Sequence, residues 1–175
     1  LNKELTQHPE IEFKFEAITE IKEGPSTALL ITAEGQYRSP LIMNSALRSM
    51  HYEQQEKYPV LAQHFIGWFV KTAQPIFDPE RADFMDFSIA QKGNTRFMYI
   101  LPTSTTEALL EYTLFSPTRL STDEYEDAIR DYLKDLGVDD FEIVEKEQGS
   151  IPMTSYEFGQ EDSEHVYHIG TAGGW

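Results

Sequence analysis

Between residues 63 and 115 four strand-length, aromatic-rich runs follow one another: "QHFIGWFVKT", "RADFMDFSIAQ", "TRFMYILP" and "EALLEYTLF". Pro, Gly, Asn and Ser/Thr punctuate the gaps, and β-branched and aromatic residues dominate the runs, the pattern of an antiparallel sheet. Gly93 and Asn94 are suited to a tight hairpin between the second and third run. The last run constrains the fold most. In "ALLEYTLF", Leu109, Glu111, Thr113 and Phe115 point one way while Leu110, Tyr112 and Leu114 point the other. Apolar residues on both faces imply cover on both sides. A carboxylate in such a strand lies at an edge, pairs with a cation, or is kept protonated. Arg96 and Arg119 are the candidate cations for Glu111.

The segment "STDEYEDAIRDYLKDLG" predicts a helix over 121–137. Ser121 and Glu124 have the spacing of a capping box, and acidic residues crowd the positive end of the helix dipole. Tyr125, Ile129, Tyr132, Leu133 and Leu136 make its apolar stripe, and Gly137 fits the position after its end. Strands are expected over 140–147 and 165–170, with "GSIPMT" (149–154) between them. Upstream, residues 11–42 alternate as a small meander. Ile11, Phe13 and Phe15 share its inner face, Glu12, Lys14 and Glu16 face solvent, and Glu34-Gly35 forms a turn. A short helix within 44–62 ends before Pro59.

Composition narrows the partners. Thirty acidic and 14 basic residues give a net charge of −16, which opposes binding to nucleic acid or attraction to anionic lipid. The chain has no cysteine, so disulfides and thiolate metal sites are excluded. His165 and His168 stand three apart in "HVYH", a ligand spacing on a helix but one that divides them between the two faces of a strand, so no metal site is expected. No Ser occupies a nucleophile elbow. "IGTAGG" (169–174) is a glycine cluster after a strand, open to a phosphate or a ring, or simply a loop. The chain starts "LNKEL" and stops at "HIGTAGGW", where a helix is expected to begin, so an internal segment of a larger protein is expected. No run of apolar residues is long enough to span a membrane.

Taken in order, "QHFIGWFVKTAQPIFDPERADFMDFSIAQ", "RFMYILPTSTTEALLEYTLFS", "GSIPMT" and "HIGTAGG" resemble the lycopene β-cyclase family, most closely its bacterial members. The resemblance is clearest over 63–116 and 149–174. It implies an α+β fold: an antiparallel β-sheet substrate lobe with a flanking helix (51–147) plus part of a glutathione-reductase-type FAD lobe (1–50 and 148–175). It further implies a redox-neutral reaction with reduced FAD, kept reduced by NAD(P)H. A proton adds to a terminal alkene of lycopene, the neighbouring double bond attacks the cation, and proton loss leaves a β-ionone ring.

The family's acidic F-L-E-E-T motif matches "LLEYT", Leu109–Thr113. The resemblance therefore makes Glu111 the catalytic acid, with Tyr112 in place of the second carboxylate and Asp86 of "FMDF" as a second catalytic candidate. Trp68, Phe87, Phe97, Tyr99 and Tyr112 are the expected carotenoid contacts. Gly170, Thr171, Ala172, Gly173, Gly174 and Pro152 are the expected FAD contacts. A G-x-G-x-x-G fingerprint is absent, so tight FAD binding by this chain alone is not expected. The implied location is the cytoplasm, peripheral to the membrane that stores the substrate and held there by apolar contact. Two alternatives stay open on the residues themselves: another FAD-dependent monooxygenase or reductase, and a non-enzymatic module for apolar ligands.

Overall fold

The computed structural model describes residues 7–47 and 51–174, the side chain of His51 excepted. The chain divides into two compact units, Leu1–Ser49 with Glu157–Trp175, and Met50–Tyr156.

In the first unit, β1 (Ile18–Lys22), β2 (Ala28–Thr32) and β3 (Gln36–Ser39) form the expected antiparallel meander. The turn at Glu34-Gly35 closes through a Thr32 N–H donating to the Gly35 carbonyl at 2.9 Å. The strand begins later than the alternation implies. Pairing starts at Ile18↔Thr32, so residues 11–17 gain no ladder, and Phe15 is 96% exposed rather than inward. Glu16 is instead an acceptor for Thr32 Oγ1 and Tyr37 Oη, both at 2.6 Å. These bonds hold its carboxyl below the usual range. β4 (Ile42–Asn44) pairs in parallel with β10 (Val166–His168), which is shorter than the run 165–170.

The second unit opens with a single helical turn, α1 (His51–Gln54), far shorter than the helix expected within 44–62. Residues 48–50 of that stretch lie outside the described residues. Its body is a five-stranded antiparallel sheet made of β5 (Val60–Thr72), β6 (Asp83–Asp86), β7 (Arg96–Pro102), β8 (Glu107–Ser116) and β9 (Phe141–Thr154). The strand order is β6-β7-β8-β5-β9. The helix α2 (Thr122–Asp135) covers one face of it. Glu124 accepts from the Ser121 N–H and hydroxyl, each at 3.0 Å, fixing the start of α2. Gly137, at φ +78°, follows its end.

Three sequence expectations change in this sheet. β6 covers four residues, not 81–91, because Met85 adopts φ +58° and the pairing skips between Asp83 and Asp86. The positive-φ pair in the following loop is Lys92-Gly93, not Gly93-Asn94. The Gln91 side chain closes that loop, donating to the Arg96 carbonyl at 2.7 Å and accepting from its N–H at 3.0 Å. Residues 141–154 form one strand, so the chain leaves this unit at 157 rather than 148. Gly149 does not break β9, because the Phe65 ring lies over it; an added Cβ would meet Phe65 Cζ at 2.4 Å.

Burial alternates along the central strands as the pleat requires. Ile66, Trp68 and Val70 of β5, Met98 and Ile100 of β7, and Ala108, Leu110, Tyr112 and Leu114 of β8 form the core with Tyr125, Ile129 and Leu133 of α2. The other face carries Phe65, Gly67, Phe69, Phe97, Tyr99, Leu109, Glu111, Thr113 and Phe115.

Candidate functional site

Register decides which side chains meet. Tyr99 stands opposite Glu111, Glu111 opposite Gly67, and Gly67 opposite Glu147. These four positions on β7, β8, β5 and β9 form one row across the face turned away from α2. Rings line that face: Phe84–Tyr99 at 5.0 Å between centroids, Phe97–Tyr99 at 5.2 Å, Phe87–Phe97 at 5.5 Å and Phe97–Phe115 at 5.8 Å. Phe84 is 72% exposed and Phe87 is 51% exposed at its margin.

Glu111 is half-buried in this row. Thr113 Oγ1 donates to its Oε1 at 2.6 Å, which favours the charged form. Burial acts the other way and is the larger effect; with the neighbouring charge and hydrogen bond of Glu147 it pushes the Glu111 carboxyl above the usual range. Burial, and then the Glu111 charge, also pushes the Tyr99 phenol up. The ion-pair answer to the Glu111 question does not hold. Arg96 lies on the opposite face, donating to Asn94 Oδ1 at 2.5 Å and to the Tyr112 hydroxyl at 2.9 Å. Arg119 is exposed in the loop before α2. A carboxyl whose neutral form is favoured more than usual can serve as a proton donor, and the surrounding ring faces can stabilise a nearby cation.

The other expected residues divide between the two faces. Phe97, Tyr99 and Phe87 join Glu111 on the aromatic face, with Phe97 buried beneath its neighbours. Trp68 and Tyr112 do not, because alternation turns both into the core under α2, at 0% and 2% exposure. Trp68 packs there with the Arg130 guanidinium 5.0 Å and the Lys146 ammonium 5.1 Å from its ring. Asp86 pairs in register with Met98 on that same side. Its Oδ2 accepts from the Tyr132 hydroxyl at 2.6 Å and its Oδ1 from the Ser88 N–H at 2.9 Å. The Tyr132 bond, then that of Ser88, holds the Asp86 carboxyl below the usual range, the opposite of Glu111.

In the first unit the glycine cluster forms a 3-10 turn, Gly170–Gly173. Gly170 is at φ +58° with nothing within 4 Å of an added Cβ, whereas Ala172 is buried beneath the turn and turns away from solvent. Pro152 belongs to β9 of the second unit, opposite Ala62, and not to the stretch that carries the glycines. His165 and His168 have separate partners, the Pro40 carbonyl at 3.0 Å and Asp162 Oδ1 at 3.1 Å.

Sequence reasoning missed two groups. Glu147 sits at an ordinary position of a charged strand, and only the pairing of β9 with β5 brings it to Glu111. His64 is buried with Nδ1 beside the Tyr125 hydroxyl at 2.5 Å and Nε2 beside Ser116 Oγ at 3.0 Å. It borders a cavity of about 420 Å³ that Arg119, Gln148 and Ser150 also line. Burial, with Arg119 and Arg96 nearby, pushes its imidazole below the usual range, although a backbone hydrogen bond to Thr118 opposes this.

A sheet with one face closed by a helix, joined to a second unit whose strands come from both ends of the chain, is a fold shared by proteins of unlike activity. The chain is similar to a geranylgeranyl bacteriochlorophyll reductase-like protein from Thermoplasma acidophilum, at 10% identity and a TM-score of 0.62, covering 89% of this chain and 41% of that one. It is similar to a CLA-producing fatty acid isomerase from P. acnes, at 11% identity and 0.59, covering 89% and 42%. It is also similar to glycine oxidase from Geobacillus kaustophilus, at 16% identity and 0.55, with the same coverage of 89% and 42%. The chain spans less than half the length of each of these proteins. No curated protein matches it. The family model described as lycopene cyclase protein matches residues 2–175, and the chain belongs to that family. Among the described residues, no helix is long and apolar enough to cross a membrane.

Proposed function

We propose that this chain is the substrate sheet, with part of the cofactor lobe, of a lycopene β-cyclase that turns linear lycopene ends into β-ionone rings, giving γ- and β-carotene. The observation that carries the reading is Glu111, a carboxyl pushed toward its neutral form on an open aromatic face.

The protonated Glu111 donates its proton to the terminal carbon–carbon double bond, leaving a tertiary cation on the substrate. The neighbouring double bond attacks that cation and closes the ring. Loss of a ring proton restores neutrality, so one proton enters and one leaves and no electrons are gained or lost. Tyr99 and Phe97 flank the polyene, and each well-placed ring face stabilises the cation by about 0.5–2 kcal/mol. Phe84 and Phe87, at the exposed margin, receive an apolar substrate from a membrane by apolar contact.

Open backbone at Gly170 fits close approach by a planar cofactor. Gly170, Thr171, Gly173 and Gly174 are the residues of this chain that would meet FAD. When bound, reduced FAD would supply an electron-rich ring system able to stabilise developing positive charge.

The test is Glu111→Gln in the full-length protein, expressed in cells that accumulate lycopene, with the pigments separated by chromatography. Unchanged lycopene with flavin still bound is the expected result. Continued formation of γ- or β-carotene removes Glu111 as the acid.

A further inference from the structure

Glu111 and Glu147 stand on strands that are not neighbours, since β5 lies between β8 and β9. Strands pack about 4.7–4.9 Å apart, so side chains two strands away meet only by leaning over the strand between them. Gly67 of β5 lies in register with both glutamates. A Cβ added there would lie 3.0 Å from Glu147 Cγ, 3.0 Å from Glu147 Oε1 and 2.9 Å from Leu109 Cδ1. The space over Gly67 is therefore shared by Leu109 of β8 and by Glu147 reaching toward β8, and the glycine is what makes that reach available.

Building on the reading of Glu111 as the acid, we propose that Glu147 is a positioning residue that acts through Glu111. From across Gly67 its carboxyl group orients the Glu111 carboxylic acid and keeps the proton on it until substrate takes it. The partner carboxylate thus comes from β9, on the face from which Tyr112 is turned away. A negative neighbour and a hydrogen bond to the neutral acid both favour the protonated form of Glu111, alongside burial. The groups facing Glu111 are Tyr99 from β7, Thr113 on its own strand and Glu147 from β9; β5 presents only Gly67. Farther along the face lie Glu145 and the Lys71–Glu107 ion pair at 3.2 Å.

The experiment compares the pH profile of lycopene cyclisation in the full-length wild type, Glu147→Gln and Gly67→Ala, with Glu111→Gln alongside. Cyclisation by a protonated acid declines as pH rises through the pKa of that acid. Replacing a carboxylate with an amide removes the like charge and adds a donor to the ionised Glu111, so the declining limb moves to lower pH. The expected displacement is about one pH unit, hence an about tenfold lower rate on the alkaline side of the limb. Gly67→Ala, which pushes Glu147 aside without changing any charge, moves the limb in the same direction. It also carries the test if Glu147→Gln fails to accumulate. An inactive Glu111→Gln together with an unmoved limb in both other variants overturns the role of Glu147 and leaves Glu111 standing. An active Glu111→Gln overturns both readings at once.

Discussion

Tyr132→Phe tests how Asp86 is held, because it removes one hydroxyl and keeps the ring that packs against the core. That hydroxyl donates to Asp86 at 2.6 Å, and a hydrogen bond to a charged acceptor contributes about 1.5–3 kcal/mol. Asp86 is partly exposed, so screening reduces the expected loss to about 1–2 kcal/mol at neutral pH. Because Asp86 is held below its ordinary value, the contribution is present above the unfolded-state pKa of about 3.9 and is lost as pH falls through the folded-state value. Tyr132 is pushed far above the usual phenol range, first by burial and then by Asp86. The wild type therefore also loses stability as pH rises beyond about 10, while Tyr132→Phe does not share that loss. Urea unfolding followed by circular dichroism and tryptophan fluorescence, at pH 7, 5 and 3, measures the difference. A gap that stays constant from pH 7 to pH 3, or one below about 0.3 kcal/mol at pH 7, refutes the charge-assisted bond. The functional counterpart is Asp86→Asn, which keeps an acceptor for Tyr132 and removes the charge; cyclisation persists if Asp86 is a structural anion.

Leu110→Ala empties a site with 0% exposure between β8 and α2, and a loss of about 2–5 kcal/mol is expected in chemical unfolding. A loss below about 1 kcal/mol would mean that α2 does not close this face. For His64, whose pKa is lowered mainly by burial, the unfolded chain takes up a proton near pH 6.5 that the folded chain resists. Wild-type stability therefore falls as pH drops below that value, and His64→Gln removes that part of the slope between pH 8 and pH 5. Equal slopes in the two proteins would refute a buried neutral imidazole.

The strands and α2 were legible because local pattern dictates them: period-two alternation in β8, and a capping pair and apolar stripe in α2. Glu111 was legible as an anomaly in that alternation. What the sequence hid is non-local. Alternation says that Tyr112 and Glu111 face opposite ways but not which face a helix will cover, so sequence alone assigns Tyr112 and Trp68 to the substrate when they belong to the core. Glu147 lies 36 positions beyond Glu111 and reaches it only through β5, which pairs with both strands. Phe15 misled for a related reason: alternation without a partner strand produces no buried face. β6 was overestimated because "RADFMDFSIAQ" carries strand propensity throughout, while the positive φ at Met85 depends on tertiary context.

Register is therefore a requirement of the proposed function of this sheet as well as of its stability. Sliding β8 by one residue would bring Glu111 and Thr113 under α2, where an unpaired carboxyl is costly, and would turn Leu110 and Tyr112 out of the core. A slip of β5 by two residues keeps the faces but destroys the row. Either Phe65 or Phe69 would then stand between the glutamates in place of Gly67, and a ring there would occupy the space through which Glu147 reaches. Gly149 adds a second constraint, since Phe65 needs a residue without a side chain beneath it. Two glycines on adjacent strands, each facing a bulky or charged neighbour, thus select one alignment of β5 with β9. In that alignment the two carboxyls meet on the aromatic face. The same packing that specifies the fold brings together the proposed acid and the group proposed to hold its proton.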